Sequence, residues 1–212
     1  MMLQSVFNLV VTRWDFFFAL LAEHLQIAAT SIIIAGVLGL GIGVFISEFS
    51  KSSKPVMGLV NFIYTIPSIS LLGFLIPVSG IGDTTAIIAL TVYALLPMVR
   101  NTHTGLTNVS PLLIEAATGM GSTKLQVLYK IKLPLAMPII LAGIRNMAVM
   151  TIALAGIASF IGAGGLGVAI YRGITTNNKA MTIAGSLLIA VLAIIVDMLI
   201  GIIEKRVQKH RA

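Results

Sequence analysis

The sequence predicts an all-α membrane protein of five transmembrane helices, and three observations carry that expectation. Hydrophobic residues fill 58% of the 212 positions and charged residues only 10%, against a charged share near ~25% in soluble domains. Mean hydropathy is +1.04. Five apolar stretches are long enough to span a bilayer, and basic residues gather in alternate connections between them, as loops on the cytoplasmic side do.

Composition also excludes several classes. The net charge of +7 does not point to nucleic acid, because the lysines and arginines sit in short clusters between apolar runs and offer no basic face. With no cysteine, disulfides and thiolate metal sites are excluded. His24, His103 and His210 are scattered and show no metal-ligand spacing.

Residues 1–23 form an N-terminal segment. It lacks the basic leader of a secretory signal, and Arg13, Trp14 and Asp15 interrupt its apolar run. Residues 3–22 are expected to be an interfacial helix, with Trp14 beside Arg13 at the headgroup boundary; a polar leader without a role is the alternative. A single transmembrane domain follows over residues 24–206, with residues 207–212 as a cytoplasmic tail.

The first span covers about residues 25–47. Its Ala35, Gly39 and Gly43 recur every four residues and make a stripe along which another helix can approach closely, unless glycine is merely common in such helices. The second span, about 55–78, contains Pro67 and Pro77, each of which removes a backbone donor. It is expected to bend or break near Tyr64-Thr-Ile-Pro67-Ser68, and broken helices at membrane depth line a passage or a protein interior. The third span, about 84–99, is short and ends between Asp83 and Arg100. The fourth, about 135–160, carries Arg145, and the fifth, about 181–203, carries Asp197.

Orientation follows from charge. Lys51, Lys54, Arg100, Lys124, Lys130, Lys132, Lys205, Arg206, Lys209 and Arg211 occupy alternate connections and mark the cytoplasmic side. The N-terminus is then outside and the C-terminus inside. Within the spans, Arg145 lies ~15 Å beyond Leu135 and Asp197 ~9 Å before Ile203 at the rise of a helix, both measured from the same side. Neither charge tolerates lipid, so an Arg145–Asp197 pair is expected, within one subunit or across a dimer; the alternative sets Arg145 in the passage and leaves Asp197 to bond elsewhere.

Gly162-Ala-Gly164-Gly165-Leu-Gly167 matches G-x-G-x-x-G, but it follows a membrane helix and no acidic residue stands ~20 positions on, so it is no dinucleotide fingerprint. A tight turn or short re-entrant segment is expected.

The long polar insert at 110–133 is expected to form two short helices. Ser110-Pro111 signals a start, with Ser110 as cap, and the first helix runs to Met120. Gly119 and Gly121 break it, Ser122 caps the second, and Pro134 ends or redirects that helix. Glu115-Ala116-Ala117, then Gly121, then Ile131 and Leu133-Pro134, in this spacing, resemble the EAA motif of permease subunits of ABC importers. Tyr64-Thr-Ile-Pro-Ser68, Leu72-Gly-Phe74, Tyr93 to Thr102 and Phe160 to Gly167 resemble the branch that imports osmoprotectants such as glycine betaine, carnitine and choline, over about residues 20–205.

The resemblance implies the type I ABC importer (MetI-like) permease fold in a bacterial plasma membrane. It further implies that the stretch around Glu115 to Gly121 forms coupling helices docked on a cytoplasmic ATPase subunit. Implied partners are those ATPase subunits, a second permease subunit (a copy or a homologue), an extracytoplasmic substrate-binding protein and membrane lipid. No P-loop is present, so this chain is expected to bind no cofactor, with ATP and Mg held by the partner ATPase.

Residue chemistry adds to this. A quaternary ammonium is held best by aromatic faces, yet only Tyr64 and Tyr93 stand as tyrosines in the spans. Tight recognition then belongs to the binding protein and a low-affinity passage to this chain, with Tyr64, Pro67, Ser68, Tyr93, Arg145 and Asp197 as its expected residues. An amino-acid permease of the methionine type is the alternative. A stand-alone secondary transporter lacks coupling-ion ligands and matching halves here, and an intramembrane enzyme lacks catalytic groups.

Overall fold

The computed structural model describes residues 2–209, and among these every regular element is a helix. Backbone groups in lipid must be satisfied within their own segment, which leaves helices as the economical solution for so apolar a chain. Four helices are long and apolar enough to cross a membrane, and one sharply bent pair makes a fifth crossing if counted together.

α1 (Met2–Thr12) and α2 (Trp14–Glu48) are separated only by Arg13, at φ −118° and ψ 36°. The interfacial helix expected over 3–22 therefore stops at Thr12, and Trp14 onward is continuous with the first span. The apolar run Phe16-Phe-Phe18-Ala-Leu-Leu has no breaker to end it before the span begins. Val6 buries α1 against Phe17, Leu20, Met181 and Ala184, so α1 is packed on the domain. Phe16 lies between two cations, with the guanidinium carbons of Arg13 and Arg172 5.3 and 5.4 Å from its ring centroid.

The small-residue stripe of α2 does pack a neighbour. Ala35, Gly39 and Gly43 are all buried against α5 (Asp83–Thr107). A Cβ on Gly39 would lie 2.7 Å from the Met98 side chain, and one on Gly43 2.7 Å from Thr102 Cγ2. Ala35, Ala94, Met98, Leu106, Ala136 and Met147 fill the core where α2, α5 and α8 (Leu133–Ala158) meet.

The second span is two helices, α3 (Ser50–Thr65) and α4 (Ser68–Ser79), bent by 97° at Ile66-Pro67. The bend falls where the sequence places it. Ile66 is extended at φ −69°, ψ 126°, as a residue before proline tends to be, and Pro67 has no N–H to continue the ladder. Pro77, by contrast, stays inside α4.

α5 exceeds its expected end at residue 99 by two turns. Much of its polar extension is bonded: Arg100 Nη2 donates to Asn61 Oδ1 at 2.8 Å, Asn101 Nδ2 to the Pro97 carbonyl of α5 itself at 2.7 Å, and His103 Nε2 lies 3.0 Å from Ser53 Oγ, whereas the buried Thr102 Oγ1 finds no partner among the described residues. Beyond it come α6 (Pro111–Gly119), α7 (Lys124–Val127), a π-helical turn (Leu128–Lys132) and α8. These last three are one helical run, which with a closing 3₁₀ turn (Ser159–Ile161) spans Lys124–Ile161. α9 (Gly167–Thr175) is a short helix between the glycine turn and α10 (Lys179–Lys209). α10 starts two residues earlier and runs six residues beyond the expected 181–203, absorbing the start of the tail; residues 210–212, with His210 and Arg211, lie outside the described residues.

Candidate functional site

The insert between α5 and α8 is built from capping chemistry. Pro111 occupies the first turn of α6 as expected, but Ser110 makes no side-chain cap; its carbonyl instead accepts from the N–H groups of Leu113 and Ile114 at 3.1 and 3.4 Å. The C-terminus is a Schellman closure. Gly121 N–H donates to the Thr118 carbonyl at 2.9 Å and Ser122 N–H to that of Ala117 at 3.0 Å, with Gly121 at φ +86°. A left-handed corner of this kind favours glycine.

Two expectations for the second helix are corrected. Thr123, not Ser122, caps it: Thr123 N–H donates to Gln126 Oε1 at 2.8 Å and Gln126 N–H to Thr123 Oγ1 at 3.3 Å, a reciprocal box encoded by T-x-x-Q. Pro134 neither ends nor redirects the chain. It lies in the first turn of α8, where the π-helical turn before it absorbs the missing donor.

Four of the seven EAA-motif residues meet at one cleft. Ala116, Ala117, Ile131 and Pro134 line a cleft of about 560 Å³ with Leu113 and Met120. Ala117 is buried, Ile131, Leu133 and Pro134 are half-buried, and Glu115 and Ala116 are exposed. Leu133 packs on the α2–α5–α8 core. Among the described residues no hydrogen bond or ion pair reaches Glu115, so its carboxylate stands free on the outer face of α6. Leu112 and Met120 on the same helix are 74% and 81% exposed, an apolar surface bordering that carboxylate.

Sequence reasoning missed the tie that holds this insert to the domain. Lys132 Nζ lies 2.6 Å from Glu48 Oε1 at the end of α2, with side chains 15% and 29% exposed. The available signal was a lone acid at the end of a charge-free span, followed by Lys51 and Lys54.

The six residues expected along the passage separate into two groups. Tyr64, Pro67, Ser68 and Tyr93 converge at the α3–α4 break. The Tyr64 and Tyr93 rings are 5.8 Å apart at 66°, the Tyr93 hydroxyl donates to the Ile66 carbonyl, and the Tyr64 hydroxyl to Met150 Sδ at 3.3 Å. Arg145 and Asp197 form the other group, paired within one chain. Arg145 Nε and Nη2 donate to Asp197 Oδ1 and Oδ2 at 2.6 and 2.7 Å, a fork-to-carboxylate fit. Glu204, which the sequence reading passed over, joins at 3.4 Å. Positions 197, 201 and 204 share one face of α10; Gly201 is buried beneath the guanidinium, its Cβ position 3.3 Å from Arg145 Cζ.

The glycine turn binds carboxylates of its own chain. Gly164 N–H donates to Asp83 Oδ1 at 2.9 Å and Gly165 N–H to Glu23 Oε2 at 3.0 Å. Donors that a pyrophosphate would need are thus taken, and the turn joins α2, α5 and α8 at the end opposite the EAA cleft.

Residues 35–209 match the family described as binding-protein-dependent transport system inner membrane component. The chain is 41% identical over 184 residues to the carnitine transport permease protein OpuCD of Listeria monocytogenes, covering 86% of this chain and 82% of the relative. It is 38% identical over 185 residues to the glycine betaine/carnitine/choline transport system permease protein OpuCB of Bacillus subtilis, covering 87% and 85%. To the osmoprotectant import permease protein OsmW of Salmonella typhimurium it is 42% identical over 183 residues, covering 84% and 85%. Among solved structures, an inward-facing form of the MetNI methionine ABC transporter superposes with a TM-score of 0.84 at 26% identity, over 90% of this chain and 95% of that one.

Proposed function

Because the chain belongs to the family of binding-protein-dependent transport system inner membrane components, we propose that it is the permease subunit of an ATP-driven importer of compatible solutes. Its substrates are glycine betaine, carnitine, choline or related quaternary ammonium osmolytes. The supporting observation is 41% identity to a carnitine permease across 86% of the chain. Likeness to the methionine transporter is 26% in identity and shared fold, which favours methionine as substrate less.

In this reading the chain sits in a bacterial plasma membrane with its N-terminus outside and its C-terminus inside. The EAA cleft then faces the cytoplasm and receives an ATPase subunit, which holds ATP and Mg. Glu115, Ala116, Ala117, Gly121, Ile131, Leu133 and Pro134 form the coupling element. A second permease subunit, a copy or a homologue, completes the passage, since C2 pairing is the commonest assembly, and an extracytoplasmic binding protein delivers the solute.

The mechanism is alternating access. ATP binding closes the ATPase pair and carries α6 with it, and the spans rock outward to receive solute. Hydrolysis restores the inward-facing state. Tyr64, Pro67, Ser68 and Tyr93 border the passage, while Arg145 and Asp197 hold α8 to α10 beside it. The test is uptake of radiolabelled glycine betaine, carnitine, choline and methionine by the assembled importer in proteoliposomes. Uptake of methionine alone would overturn the osmolyte reading.

A further inference from the structure

We propose that the α3–α4 break holds a weak subsite for methylated ammonium groups, formed by the Tyr64 ring and the carbonyls at the end of α3. The proposal rests on the osmolyte-permease reading and adds to it the place where the cation pauses in transit.

Tyr64 is 43% exposed whereas Tyr93 is 6% exposed, so the free ring surface of this edge-to-face pair belongs to Tyr64. Both hydroxyls are engaged: that of Tyr93 donates to the Ile66 carbonyl and that of Tyr64 to Met150 Sδ at 3.3 Å. With the polar tips bonded, the half-exposed Tyr64 offers a solute its ring. A ring face attracts quaternary ammonium groups, whose charge is spread over methyls that give no hydrogen bond.

Ile66 N–H donates to the Ile63 carbonyl at 3.1 Å, and the Phe62 carbonyl accepts from Thr65 Oγ1 at 2.7 Å. Beyond them Pro67 brings no N–H, and the following donors belong to a helix turned 97° away. The carbonyls of Tyr64 and Thr65 therefore end α3 without continuing its ladder, at the negative end of the helix dipole. Such a polar break cannot face hydrocarbon, so it borders water or protein.

From Pro55 to Gly82 no Asp, Glu, Lys or Arg occurs. Without a fixed countercharge in this segment the subsite attracts a diffuse cation and lets it go, and the cation that does lie beside α3, Arg100, is engaged with Asn61 Oδ1 at 2.8 Å. Two rings from one chain also fall short of the closed box that tight binding needs.

The test uses the complete importer in proteoliposomes, reading radiolabelled choline uptake beside ATPase activity stimulated by the liganded binding protein. Tyr64→Phe keeps the ring but gives up the bond to Met150 Sδ and is expected to lose less than half as much of the choline moved per ATP hydrolysed as Tyr64→Leu, which loses about threefold to tenfold of that ratio. Tyr64→Trp, with a stronger π-face, is expected to make uptake about threefold more sensitive to tetramethylammonium. Equal behaviour of the Leu variant and the parent overturns the subsite, as does equal loss in the Phe and Leu variants. If the Leu variant fails to assemble, unchanged tetramethylammonium sensitivity in the Trp variant does the same. A parent complex that moves no quaternary ammonium osmolyte overturns the osmolyte reading itself.

Discussion

At the scale of single residues, Gly121 and Arg145 make the sharpest demands. Gly121 has open space where a side chain would project, so only its φ of +86° excludes other residues. Asparagine tolerates that region and a β-branched residue does not. Gly121→Asn is therefore expected to retain most solute uptake and ATPase co-purification, and Gly121→Val to lose about tenfold in uptake as the α6 corner unwinds by about 1–2 kcal/mol of strain. Equal uptake by the Val variant and the parent would refute this role for the corner. Arg145 answers to two carboxylates. Reversing either charge alone, Arg145→Glu or Asp197→Arg, should lower membrane abundance several-fold, and the double reversal should restore much of it; a double variant no better than the singles, measured by quantitative blotting, would count against the pair as the α8–α10 clasp.

At the scale of elements, α2 and α5 show how much the sequence discloses. Four-residue spacing of Ala35, Gly39 and Gly43 marks a helix contact, and the break at Pro67 is readable because a missing N–H acts locally. The π-helical turn at Leu128–Lys132 and the Glu48–Lys132 tie were not readable, since both depend on how distant segments meet. The same holds for the end of α5, where Asn61 and Ser53 satisfy side chains that look like a helix boundary in isolation. The EAA spacing was legible as a motif, but the meeting of Ala116, Ala117, Ile131 and Pro134 at one cleft needed the folded chain. Gly39→Val should cost about 1–3 kcal/mol by forcing Met98 aside, visible as a lower melting temperature of the purified complex in detergent. An unchanged melting temperature would show that the α2–α5 contact can relax.

At the scale of the whole molecule, membrane topology depends on the sharply bent second span. Counted as one crossing, α3–α4 gives five spans and termini on opposite sides; counted as a re-entrant loop it gives four and termini on the same side. A C-terminal fluorescent-protein fusion is expected to be bright in the cytoplasm while an N-terminal tag is labelled from outside. Both ends reporting from one side would remove the crossing.

The unbroken helical run from Lys124 to Ile161 has a mechanical consequence. It begins in the EAA insert, ends at the glycine turn and is gripped near its middle by the Arg145 clasp, like a seesaw on its fulcrum. With arms of ~32 Å and ~24 Å at the helical rise, a tilt about that fulcrum reverses direction and shrinks stroke by about a quarter. If an ATPase pushes the Lys124 end by a few ångströms, as proposed, the displacement would reappear, inverted, at the glycine turn, which the carboxylates of Glu23 and Asp83 hold.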